Sequence, residues 1–342
     1  MTKYKLLVRE SVNKHVILKS ILSSLDSRGL SIYDLRKTSN LFKLKISQSD
    51  ILIFTDPIVF MMVYIGHFLF IKRFPRMIFI SLEMYEFQRD SIGFFSRIRN
   101  KVFELSHRFS LKRTDVIFPN KARSDFYKRK FQSLNLLGIL ENSPSKQSID
   151  ICEDIKKIPR EKVIDDLLNQ EEQLKILGKN IYVYSGAFNL TNRSLDTIFK
   201  AFKNVEHSVL IIAGRDNDAV FTRPNRFKNV IYLGERTHLD VFKLYRISNY
   251  GIAFYSNENM NTKYAAPVKI YEYKLFGLGV ICNDNIGVKS IWNHSISYYN
   301  NEKELVGIIN NNFLNPIHNE IEEYIPELTY ENKFLKLISN ES

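Results

Sequence analysis

Apolar residues in this chain fall into short, nearly unbroken runs separated by longer mixed stretches. Runs of this kind, without polar alternation, are expected of strands covered on both faces, as in parallel sheets. In the first half they predict strands over residues 3–11, 50–54, 76–81, 115–120 and 136–142. In the second half they recur more regularly, over 181–184, 209–213, 230–233, 251–254, 280–282 and 296–299. Helical patterns fill most of the gaps between the later runs, the alternation that a parallel α/β sheet requires.

Two stretches depart from that rhythm. Residues 57–71, PIVFMMVYIGHFLFI, are the most apolar segment, but they fall short of the ~20 residues needed to span a bilayer. A buried helix is the better reading. Residues 91–112 repeat apolar side chains at helical spacing: Phe95, Ile98, Val102, Leu105 and Phe109. That stripe is expected to pack inward, leaving Arg97, Arg99, Lys101, Arg108, Lys112 and Arg113 as a solvated basic face. Residues 146–179 are polar and charged, read as a linker with one or two helices. The last 25 or so residues read as helical.

Size and charge sharpen this picture. With 342 residues the chain has room for two domains. The net charge of +12 is one-sided: residues 1–160 carry 29 Lys and Arg against 15 Asp and Glu, and the remainder 20 against 22. A basic half of this kind suits nucleic acid or an anionic membrane surface. No RNA-binding, zinc-finger or helix-turn-helix pattern accompanies it, so a membrane surface is expected and nucleic acid is not. Two cysteines, Cys152 and Cys282, make neither a disulfide framework nor a zinc site. The opening residues lack the apolar core of a signal peptide, and a cytoplasmic location is expected, peripheral on the inner face of the membrane.

Residues 265–290, AAPVKIYEYKLFGLGVICNDNIGVKS, hold the densest chemistry. Pro267 suits the first position of a helix, whose free amides and dipole then form an anion site. Glu272 stands five residues further on, placed to accept hydrogen bonds from whatever carries the anion. Gly277 and Gly279 punctuate the return to a buried strand. A phosphate with an acceptor inside the helix fits a nucleoside diphosphate and its ribose.

The ordered elements Pro267, Lys269-Ile270-Tyr271-Glu272-Tyr273, Gly277-Leu278-Gly279-Val280-Ile281 and Gly287-Val288 resemble the donor-binding segment of GT-B glycosyltransferases. The nearest likeness is the retaining superfamily that includes glycogen and sucrose synthases and bacterial surface-polysaccharide enzymes. The resemblance implies an α/β GT-B fold, two Rossmann-like parallel-sheet domains facing a central cleft. Residues 1–160 would form the basic acceptor-binding domain and 161–315 the nucleotide-sugar-binding domain. Residues 316–342 would cross back to the first domain.

The resemblance also assigns residues. Donor contacts fall to Gly186, Asn192, Arg193, Gly214, Arg215, Gly234, Pro267, Val268, Lys269 and Glu272. The family grips the diphosphate with a Gly-Arg pair and a following Lys. Here Ala187 stands where the Arg is expected, so Arg193 is the candidate to neutralise the leaving group. The family's first Glu, eight residues before the second, is Tyr264 here. On the acceptor side the resemblance points to Glu83, Tyr85 and Glu86, with Glu83 as the catalytic candidate at the acceptor hydroxyl. Asp216 and Asp218 are spaced like the metal ligands of GT-A enzymes, but between two strands of a GT-B sheet they read as a solvated turn. No metal or other cofactor is expected. The implied partners are a nucleotide-diphosphate-sugar and a glycan or lipid-linked acceptor. The implied reaction is metal-free transfer with retention, the departing phosphate assisting deprotonation of the acceptor. The alternative is a non-catalytic GT-B-like protein that binds a partner transferase or a glycan.

Overall fold

The computed structural model describes residues 3–9, 16–36, 44–68, 74–84, 94–188, 195–219, 228–292, 296–314 and 329–339. The chain divides into two compact units. The first comprises Met1–Ser145, Asn259–Asn261 and Glu327–Ser342, the second Lys146–Glu258 and Thr262–Pro326.

The first unit holds six parallel strands: β1 (Tyr4–Val8), β2 (Leu30–Asp34), β3 (Ile51–Phe54), β4 (Arg76–Ile80), β5 (Asp115–Phe118) and β6 (Leu136–Ile139), in the order β2-β1-β3-β4-β5-β6. β3 is buried at every residue, as its unbroken apolar run requires. β2, LSIYD, has no such run; it lies at the sheet edge, and none of its residues is fully buried. Its partial exposure is why periodicity misses it. The apolar segment after β3 forms the helix Pro57–Phe68, with Val59, Phe60 and Val63 in the core. Among the described residues no helix is long and apolar enough to cross a membrane. The helix Tyr330–Ser339 seals this unit: Tyr330, Phe334 and Ile338 are buried with Leu6, Val8, Leu18 and Ile21.

The helix Phe94–Arg113 corrects the expected orientation. Its buried side chains are Glu104, Ser106, His107, Ser110 and Leu111, whereas Phe95, Ile98, Val102 and Leu105 are exposed. The inward face is made of short hydroxyls that satisfy themselves within the helix. Ser106 Oγ donates to the Val102 carbonyl and Ser110 Oγ to that of Ser106, both at 2.8 Å. Glu104 is neutralised by Lys101 at 3.0 Å and by Arg108. Of the predicted stripe, Phe109 packs against the helix Pro57–Phe68, its ring 4.9 Å from that of Tyr64 and 5.9 Å from that of Phe60.

The second unit carries β7 (Asn180–Ser185), β8 (Ser208–Ala213), β9 (Val230–Tyr232), β10 (Tyr250–Ala253), β11 (Gly279–Asn283) and β12 (Ser297–Tyr299). All are parallel, in the order β12-β11-β10-β7-β8-β9. The strand order reverses between β7 and β10, and at such a switch point the loops after the strands part to leave room for a ligand. The segment read as a linker with one or two helices holds three. It forms the helices Lys146–Lys156, Arg160–Leu167 and Gln170–Ile176, whose Cys152, Ile155, Val163, Leu168 and Ile176 enter the core of this unit. Few apolar residues per helix suffice there, because each helix buries only one narrow stripe.

Candidate functional site

The donor-segment residues meet at the switch point of the second sheet. β7 ends at Ser185 and the chain continues into Gly186, whose φ of +127° lies where side chains are strained. A Cβ on Gly186 would stand 3.0 Å from Lys269 Nζ. Lys269 donates a hydrogen bond to the Ser185 carbonyl, and its ammonium lies 4.5 Å from the centre of the Tyr184 ring. Gly186 and Lys269, 83 positions apart, therefore share one place in space.

The neighbouring strand ends close around them. A Cβ on Gly214 would fall 2.0 Å from the Gly186 carbonyl oxygen, so only glycine lets the loops after β7 and β8 approach so closely. Gly214 N–H donates to the Gly234 carbonyl at 2.8 Å, and Tyr232 OH donates to the Gly214 carbonyl at 3.0 Å. Gly186, Gly214 and Gly234 thus line adjacent ends of one sheet. Arg215 is exposed and paired with Glu235 at 3.1 Å, so its charge is partly engaged already. Asp218 N–H closes on Asp216 Oδ1 at 3.3 Å, and Asn217 and Asp218 are exposed, the solvated turn expected from sequence.

Pro267 is the residue before the helix Val268–Leu275, not its first helical residue; its ψ of 128° is extended. Val268 takes the first position, and Pro267 supplies no side-chain cap to the helix. Phe276 caps the helix and Gly277 follows at φ +70°, the left-handed glycine that ends it, while Gly279 already belongs to β11. Gly287 serves this helix from a distance. A Cβ there would sit 2.3 Å from the Ala265 backbone, so the glycine lets the loop before the helix lie against the next one. Asn285 ties the same loops together, donating to the Thr262 carbonyl at 2.8 Å and accepting from Val288 N–H at 3.1 Å.

Glu272 is 9 % exposed and held at both oxygens. His238 Nε2 is 3.1 Å from Oε1, and Tyr245 OH donates to Oε2 at 3.4 Å. The Tyr245 hydrogen is committed to the carboxylate, so Ser185 Oγ donates to Tyr245 OH at 2.6 Å. Burial beside Glu272 holds the Tyr245 phenol well above its usual range, keeping it a neutral donor. A relay of Ser185, Tyr245, Glu272 and His238 therefore links the end of β7 to the helix Val268–Leu275. Of these, sequence reasoning named only Glu272. His238 and Tyr245 sit on the helix His238–Ile247 at no telling distance in sequence, and only the fold brings them together.

Asn192 and Arg193 lie outside the described residues, as do Tyr85 and Glu86. Glu83 is exposed in the loop after β4, two residues beyond Ser81. Beneath that loop, Ser81 Oγ meets His107 Nε2 at 3.0 Å, and Tyr127 OH is 3.4 Å from His107 Nδ1. Burial, reinforced by Arg123, Lys130 and Arg108, pushes the His107 pKa down to about 3. His107 is thus a neutral, hydrogen-bonded support of the loop that carries Glu83.

No protein-family model matches this chain, and no curated protein sequence matches it. Solved structures match it along nearly its whole length. HepE from Anabaena in complex with UDP-glucose is 14% identical, with a TM-score of 0.59 over 96% of this chain and 92% of that one. A UDP-forming α,α-trehalose-phosphate synthase from Burkholderia xenovorans is 10% identical, with a TM-score of 0.65 over 99% of both chains. A sucrose-phosphate synthase from Thermosynechococcus elongatus is 12% identical, with a TM-score of 0.60 over 98% and 94%. With two six-stranded parallel sheets and these structural neighbours, the chain has the GT-B fold of nucleotide-sugar glycosyltransferases.

Proposed function

We propose that the protein is a glycosyltransferase that moves a sugar from a nucleotide-diphosphate-sugar to a glycan or lipid-linked acceptor. One observation carries the reading: Gly186, Lys269 and the relayed Glu272 converge at the switch point of the second sheet. There the Lys269 ammonium and the dipole of the helix Val268–Leu275 receive the diphosphate, with Arg193 as a further cation. Glu272 accepts hydrogen bonds from the ribose hydroxyls. Gly234, where a Cβ would meet nothing within 4 Å, leaves room for the base, Gly214 lets the loops close beside it, and Arg215 borders it. Cations and amides neutralise the leaving diphosphate, so the proposed reaction uses no metal. Retention of the anomeric configuration and a role in bacterial surface-polysaccharide assembly follow from the resemblance of residues 265–290. Glu83 is the proposed contact to the acceptor hydroxyl, with Tyr85 and Glu86 beside it. The basic first half would face an anionic membrane surface from the cytoplasm.

A second reading has a specific observation behind it. Ala187 and Tyr264 occupy positions where the resembling family has its Arg and its first Glu, and Tyr264 is buried. A non-catalytic partner or glycan-binding protein would tolerate both. A thermal-shift screen with UDP, GDP, CMP and their sugar conjugates, repeated on Glu272→Ala, separates the two. Stabilisation by one nucleotide sugar, lost in the variant, supports the transferase. A folded protein indifferent to all of them favours the non-catalytic partner.

A further inference from the structure

The helix Phe94–Arg113 turns the wrong face outward for a soluble surface. Phe94 and Phe95 are 72% and 84% exposed, and Ile98, Val102 and Leu105 about half exposed. At 3.6 residues per turn these five fall within an arc of about 100°, a continuous apolar strip along about three turns. Arg97, Lys101, Arg108 and Lys112 follow one border of that arc, and Arg99 and Arg113 the other. The single acid of the helix, Glu104, is on the inward side, buried and paired with Lys101 and Arg108. No negative charge on this helix therefore opposes an anionic surface. Beyond the strip, on the same face, Phe109 meets Phe60 and Tyr64. An apolar arc bordered on both sides by cations, on a helix anchored from behind, suits the boundary between headgroups and acyl chains.

We propose that the first three turns of this helix insert shallowly into an anionic bilayer, with Phe94, Phe95, Ile98, Val102 and Leu105 among the acyl chains. The flanking Arg and Lys side chains then lie at the phosphate level, their stems extended upward. The inference deepens the membrane reading above and rests on it, but its content differs: the helix is inserted, not merely adsorbed by charge.

Flotation of the full chain with phosphatidylcholine vesicles, with and without phosphatidylglycerol, tests it. The wild type is expected to float with the anionic vesicles at low salt. Phe95→Ser with Ile98→Ser should bind about tenfold or more weakly, the scale of several lost methylene contacts. Arg97→Gln with Arg99→Gln should also weaken binding. Both pairs are exposed, so thermal unfolding should match the wild type. The chain has a single tryptophan, Trp292, so a Phe95→Trp probe is read against a low background. Its emission should shift to the blue on anionic vesicles. Binding that survives loss of Phe95 and Ile98 but not of the arginines would mean adsorption by charge, overturning insertion while sparing the membrane reading. Failure to float, with a wild-type dimer that the Phe95 and Ile98 variant dissociates, would assign the strip to a second copy. None of these readouts uses donor or acceptor, so they stand apart from any test of transfer.

Discussion

Single side chains set the electrostatics of both units. Glu272 is the clearest case, because both its oxygens are engaged before any ligand arrives. Glu272→Gln keeps the shape but removes the charge that a ribose hydroxyl would meet. A hydrogen bond to a charged group contributes ~1.5–3 kcal/mol, so nucleotide-sugar affinity measured by calorimetry should fall about tenfold to a hundredfold. His107 makes a prediction about pH. Its folded pKa is about 3, below the ordinary histidine value, so the unfolded chain binds the proton first as pH falls. Its contribution is fully present above the unfolded pKa near 6.5 and is lost as pH falls from there toward 3. Chemical denaturation across that window should show stability dropping by up to about 1.4 kcal/mol per pH unit from this residue. The slope should shrink in His107→Gln, which cannot titrate.

At the scale of elements, glycines and caps hold the loops that frame the site. Gly287→Ala would drive a methyl into the Ala265 backbone and displace the lead-in to the helix Val268–Leu275. A loss of about 1–3 kcal/mol is expected, together with loss of the thermal response to nucleotide sugar. Asn120→Ala is the contrast: its side chain caps the helix Lys121–Lys130 in the other unit by accepting from Arg123 N–H. Its removal should lower stability by about 1 kcal/mol and leave nucleotide-sugar binding alone. Elements differed in how readily sequence gave them away. β3, β8 and β11 are covered on both faces, and their apolar runs are unmistakable. β2 is half exposed and was silent. The helix Phe94–Arg113 was visible as a helix but misread in orientation, because periodicity marks an apolar face without saying what covers it. The donor segment was legible since Pro267, Lys269 and Glu272 lie on one short stretch. Ser185, Tyr245 and His238 were not, because they approach Glu272 only through the sheet.

On the scale of the whole molecule, the units can be perturbed separately. Phe334 belongs to the core of the first unit although it follows the whole second unit in sequence. Phe334→Ala should destabilise that unit by about 3–5 kcal/mol. In calorimetric scans this would split or broaden the transition, while nucleotide sugar still raises the melting of the second unit.

The placement of Tyr330–Ser339 in the first unit also dictates an order of assembly on the ribosome. Strands β1 to β6 are made early, yet the helix that closes over Leu6, Val8 and Leu18 emerges only after the whole second unit. At ~5–20 residues per second, the stretch from Ser145 to Tyr330 takes roughly ten to forty seconds. For that interval the first sheet carries an uncovered apolar patch, whereas the second unit has its last strand by Tyr299, before the helix Tyr330–Ser339 is made. The nascent chain should therefore complete its second unit first and depend on chaperones to shield the first sheet until that helix arrives.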